Sequence, residues 1–139
     1  MFLVNHSSFL NNLGPGTNVW NSVYIHDLAN LYIILYEKAL KERETGEFDP
    51  DPYTRFYFAS VGRYVWGELI KALAPILHAH GVVDSDEAVS VDASTLRRAV
   101  TTDSQSVSNR GFADGWKPIG PTVYETLEED VEGVLAQDK

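Results

Sequence analysis

The sequence predicts a helix-rich α/β chain, three to five helices with two short strands. Three observations carry this. Apolar residues recur at helical spacing over Leu28–Glu44, Val61–His80 and the stretch after Thr122. Two runs dense in β-branched and aromatic residues, NVWNSVYI (Asn18–Ile25) and RFYFA (Arg55–Ala59), read as strands. The 139 residues, 44% hydrophobic and 22% charged, fit one folded domain over 1–139.

The elements follow in chain order. Residues 1–17 carry Phe2, Leu3, Val4, Phe9, Leu10 and Leu13, and Gly14-Pro15-Gly16 then breaks the chain. After the first strand Asp27 suits a helix N-cap, where its carboxylate accepts free N–H groups at the positive end of the helix dipole. Leu28, Leu31, Tyr32, Leu35 and Ala39 form the stripe of that helix, and Gly46 stops it. Ile33, Ile34 and Tyr36 add apolar surface outside the stripe, and a helix apolar nearly all round is normally buried on several sides. Glu47–Tyr53 is a loop with two prolines, and the second strand follows it. Ser60 is expected to cap the next helix, whose stripe is Trp66, Leu69, Ile70, Leu73 and Leu77. Pro75 inside it predicts a kink or a split into two shorter helices. Residues 82–108 are expected to be an irregular segment, with a short helix near Ala93–Val100. Thr122 and Glu125 form a capping box before a last helix with apolar face Val123, Leu127, Val131, Val134 and Leu135.

Composition excludes whole classes. Eleven basic against 20 acidic residues give a formal charge of −9, so nucleic acid and anionic membrane surfaces are not expected partners. No cysteine is present, which removes disulfides, cysteine zinc sites, iron–sulfur clusters and thiol nucleophiles. The start lacks a basic n-region and the longest apolar stretch is short, so a cytoplasmic location is expected.

Few side chains suggest chemistry. His78 and His80 lie two apart on a helix, point apart, and cannot share a metal. His26, beside Asp27 at a strand-to-helix junction, is either a pocket histidine or a structural residue. The Gly14-Pro15-Gly16 turn lacks the third glycine of a dinucleotide fingerprint, and no Gly-x-Ser-x-Gly elbow occurs. Glu128, Glu129 and Asp130 read as a solvated helix face. Asn109-Arg110 is the remaining candidate, since an arginine fork can bind a carboxylate or phosphate bidentately. Its alternative is an exposed arginine without a ligand.

The order of three segments resembles the C-terminal part of extended short-chain dehydrogenases/reductases, the NAD-dependent epimerase/dehydratase family. Val23-Tyr24-Ile25-His26-Asp27-Leu28-Ala29 is similar to that family's V-H-V-x-D-L-A, with Tyr24 in place of the usual His. Trp66-Gly67-Glu68-Leu69 is similar to its W-x-E-L, and Gly115-Trp116-Lys117-Pro118 to its L-G-W-x-P. The resemblance covers nearly all of residues 9–136. The family's dinucleotide half carries a glycine-rich loop and a catalytic Tyr-x-x-x-Lys, and this sequence has neither; none of its seven tyrosines precedes a lysine by four. The resemblance therefore implies the C-terminal, substrate-binding lobe of a Rossmann-type fold without the nucleotide-binding half. It implies no catalytic residue and no cofactor in this chain, with NAD or NADP in the family's full-length proteins. It also implies Asn109 and Arg110 as a substrate-contacting segment and Asp27 as a structural cap, and Tyr24 and His26 are added as substrate-binding candidates. Only GFAD separates Arg110 from Gly115, shorter than the family's usual stretch.

Three functions compete at this point. One is a small-molecule substrate lobe of an NAD(P)-dependent oxidoreductase or epimerase, inactive alone, a truncated product or one part of a split enzyme. Its partner would be the missing Rossmann half or a second copy. Another is a non-catalytic interaction module using the apolar helix face. The last is a free-standing enzyme built on His26 or a carboxylate, which lacks a constellation of nucleophile, base and stabiliser.

Overall fold

A computed structural model describes residues 10–91 and 102–137. In order along the chain they form β1 (Leu10–Leu13), β2 (Val19–Ser22), α1 (Ile25–Thr45) and a 3-10 turn (Pro52–Arg55). Then come β3 (Gly62–Val65), α2 (Trp66–Ala79), β4 (Ala88–Val91), α3 (Asn109–Ala113) and α4 (Val123–Gln137). The class is helix-rich α/β, with four short strands among the described residues where the sequence identifies two. The chain groups into two compact units. One comprises Met1–Trp20, Arg63–Gln105 and Val123–Lys139; the other comprises Asn21–Gly62 and Ser106–Thr122.

The first unit is built on α2. Leu69, Ile70, Leu73, Ala74 and Leu77 recur at helical spacing and are buried. With Val83 and with Leu127 and Val131 of α4 they make one apolar cluster. β1 and β4 pair in parallel, Leu10 opposite Ala88 through Leu13 opposite Val91. The Gly14-Pro15-Gly16 turn closes onto the start of α2, where the Gly67 N–H donates to Gly16 O at 2.8 Å. A side chain at Gly67 would bring its Cβ to 2.9 Å from that carbonyl, so this helix start needs glycine. Trp20 stacks on Trp66 with ring centroids 5.3 Å apart, and its Nε1–H donates to Thr102 O.

β2 and β3 form a two-stranded ribbon. Trp66 N–H donates to Asn18 O at one end and Val61 N–H to Ser22 O at the other, so the strands are antiparallel.

The second unit is built on α1 and the short α3. Its centre is Trp116, 2% exposed, stacked on Phe112 with centroids 5.6 Å apart. Leu31 is the one large aliphatic side chain of α1 that is fully buried; the other buried residue of that helix is Asp27. Tyr32, Ile33 and Tyr36 are each more than half exposed and Leu40 more than a third.

Several expectations need correction. The first helix starts at Ile25 rather than Leu28, because Tyr24 takes the extended backbone of the N-cap. Tyr32 is not in its buried stripe. The second strand is Gly62–Val65, not Arg55–Ala59, which has high β propensity but pairs with no strand among the described residues. Ser60 does not cap α2, which begins six residues later; it is buried and its hydroxyl donates to Ser106 O at 3.0 Å. Pro75 leaves α2 undivided. Pro75 and Lys71 are both exposed, so water can take the Lys71 carbonyl that the proline leaves unbonded. Val134 is 60% exposed and off the apolar face of α4, although α4 starts directly after Thr122 as the capping box predicts. β4 lies inside 82–108, and the helix expected near Ala93–Val100 lies outside the described residues.

Candidate functional site

The second unit holds every candidate residue named from the sequence. Asp27 organises it. As the third residue of α1 it is not an N-cap: it places its carboxylate in the first turn, favoured by the helix dipole, but aims it at another segment. Oδ1 accepts from Ile119 N–H at 3.1 Å and Oδ2 from Gly120 N–H at 2.8 Å. Its backbone carbonyl accepts from Trp116 Nε1–H at 2.8 Å. A carboxylate only 3% exposed is tolerable because two backbone N–H groups replace its hydration. The role of cap therefore gives way to that of a clamp joining α1 to the Gly115–Gly120 segment. Gly120 must be glycine here: a Cβ would lie 2.4 Å from Tyr24 Cδ1 and 2.7 Å from Asp27 Oδ2.

Tyr24 and His26 flank the clamp, with ring centroids 5.2 Å apart. His26 is exposed and Tyr24 half-buried. Asn109 and Arg110 begin α3, both exposed. Arg110 Nη1 donates to two backbone carbonyls, Tyr53 O and Phe56 O. The guanidinium thus holds the segment after α1. No hydrogen bond among the described residues joins Asn109 or Arg110 to Tyr24 or His26.

Sequence reasoning missed a second cluster. Lys38 Nζ donates to Asp114 Oδ2 at 2.7 Å and to the Tyr57 hydroxyl at 2.9 Å. Tyr57 in turn donates to the same Asp114 oxygen at 2.5 Å. The Asp114 and Tyr57 hydrogen bonds raise Lys38 to about 12. Burial works to raise the Asp114 carboxyl, but the bonds from Lys38 and Tyr57 outweigh it and hold the group below its ordinary value. Burial and the bond to Asp114 push the Tyr57 hydroxyl up. A cation, an anion and a neutral phenol are therefore the stable states at neutral pH. Such a set ties segments together; it is not poised to exchange protons. Its members lie 19, 57 and 76 residues apart. No local pattern announces it. Among the described residues, no group of three or more His, Asp or Glu could hold a metal, and no helix is long and apolar enough to cross a membrane.

Comparison with known proteins adds a distant relation. No family model matches the chain, and no solved structure matches it. The oxidase ucsJ of an Acremonium species is 29% identical over 132 residues. The match covers 86% of this chain but 38% of that protein, so the chain spans well under half the length of the relative. At the level the comparison supports, this chain has an oxidoreductase as a distant relative.

Proposed function

We propose that this chain is the substrate-binding part of an NAD(P)-dependent oxidoreductase, with the dinucleotide held by polypeptide outside it. The observation that carries the reading is the clamp. Asp27 and Trp116 belong to two segments that resemble the epimerase/dehydratase family, and the Trp116 indole N–H joins them across about 90 residues of chain, with Ile119 and Gly120 just beyond the second segment adding two bonds to the Asp27 carboxylate. The named oxidase supports the reaction class, and its greater length leaves room for a cofactor region. The sequence supplies no phosphate-cradling glycine loop and no Tyr-x-x-x-Lys of its own. Tyr24 and His26 beside the clamp, and Asn109 on α3, are the side chains offered to a small polar substrate; Arg110 instead donates to the Tyr53 and Phe56 carbonyls.

The test is titration of the pure chain with NADH and NADPH, following energy transfer from tryptophan to the nicotinamide. No saturation is expected. Saturable binding of either dinucleotide contradicts the reading.

The exposed Tyr32, Ile33, Tyr36 and Leu40 favour a second reading, an interaction module that docks through α1. Light scattering separates the two. Dimerisation that rises with concentration and is lost in Tyr36→Glu supports the module; a monomer at all concentrations contradicts it.

A further inference from the structure

The segment between Gly46 and Val61 is attached in an unusual way. It carries five aromatic residues: Phe48, Tyr53, Phe56 and Phe58 are exposed, and Tyr57 is half-buried where its hydroxyl meets Asp114. Phe48, Tyr53, Phe56 and Phe58 are each more than half exposed. No side chain from Glu47 to Ala59 enters a core. A segment held by burial would turn at least one of these rings inward.

Polar fasteners hold it instead. Arg110 of α3 takes the Tyr53 and Phe56 carbonyls. Asp114, the residue that ends α3, takes the Tyr57 hydroxyl, and Lys38 of α1 completes that triangle. The two ends are fixed independently. Gly46 closes α1 with φ of 72°, a conformation that suits glycine, and its N–H donates to Glu42 O. At the far end Ser60 donates to Ser106 O and Val61 N–H to Ser22 O. Within the segment Pro50, Pro52 and the Asp51–Tyr53 N–H bond keep the middle stiff.

A stiff middle, fixed ends and fasteners confined to α3 and Lys38 are the parts of a hinged flap. We infer that residues 47–59 are a flap latched shut by Arg110 and Asp114, and that release of these two residues opens it without unfolding the helices. Segments without buried apolar contacts sit at the low end of local stability, where gating elements are found. The inference concerns motion of the chain and stands whether or not the proposed reaction class is right.

Limited trypsin digestion of the full chain tests it, reading the Arg55–Phe56 bond in the flap against the Lys41–Glu42 bond in α1. Trp116 fluorescence reports whether the second unit remains folded. Arg110→Ala and Asp114→Asn are each expected to speed cleavage at Arg55 by about tenfold, with Lys41 changed by less than about twofold, because bonds to charged groups are the stronger ones. If Arg110→Ala does not fold, Asp114→Asn, which changes a single charge, gives the reading alone. Equal acceleration at both bonds would mean that the fasteners support the whole unit, and would overturn the inference. So would an unchanged rate at Arg55 in a folded variant.

Discussion

The two units of this chain solve the same problem with different materials. The first is an apolar core. Six residues of α2 are buried, and α4 lays Leu127 and Val131 against the same cluster. The second is a set of polar clamps around one indole. Its long helix, at 21 residues the longest element described, buries only Asp27 and Leu31 and leaves Tyr32, Ile33 and Tyr36 in water. Burial is non-directional and tolerates exchange of one aliphatic residue for another. Clamps depend on particular atoms at particular distances. A unit of the second kind is sensitive to single polar changes.

The sharpest way to break this comparison is to remove each centre. Trp116→Ala should cost about 3–5 kcal/mol, within the range for emptying a large aromatic site, and should abolish cooperative unfolding of the second unit. Leu73→Ala should cost about 2–5 kcal/mol and act on the first. Urea denaturation read by circular dichroism gives both values. Next is the clamp. Asp27→Asn keeps the shape but sets an amide N–H₂ against the Ile119 or Gly120 N–H, and should cost about 1–3 kcal/mol by the same measurement. Gly120→Ala should cost about 1–3 kcal/mol, because its Cβ would overlap Tyr24.

The smallest effect belongs to the Lys38–Asp114 pair, whose side chains are 42% and 24% exposed. Lys38→Met should cost about 0.5–1 kcal/mol, less in high salt. Its pH dependence has a definite sign. Asp114 titrates below its ordinary 3.8 when folded, so its contribution is present above that value and is lost as pH falls through the folded one. Lys38 rises from 10.5 to about 12, so its contribution is whole below 10.5 and is lost as pH climbs through about 12. The wild-type advantage over Lys38→Met in thermal unfolding should therefore be flat from about pH 5 to about pH 9 and close at both extremes.

The same contrast explains what the sequence revealed. The stripe Leu69, Ile70, Leu73, Leu77 was legible because helical spacing and burial coincide where a core is apolar. The glycine stop at Gly46 was legible because its cause is local. Asp27 was recognisable as a fixed residue, but its partners stand 92 and 93 residues away, so local rules assigned it the cap role instead. RFYFA looked like a strand because propensity describes side chains that fit a pleated surface, and among the described residues no strand pairs with it. Arg110 was found as an arginine with something to bind; that it binds backbone carbonyls of a distant segment was not encoded nearby. The triangle of Lys38, Tyr57 and Asp114 has no pattern at all in one dimension.

Hydrogen exchange of the wild-type chain, resolved by peptide, tests the central claim most directly. Because α1 buries only Asp27 and Leu31, amides of residues 32–41 should exchange at least about tenfold faster than those of residues 69–77 in α2, each corrected for intrinsic rate. Equal protection of the two helices would show that α1 is held as firmly as α2, and would contradict the contrast drawn between a unit held by an apolar core and one held by polar clamps.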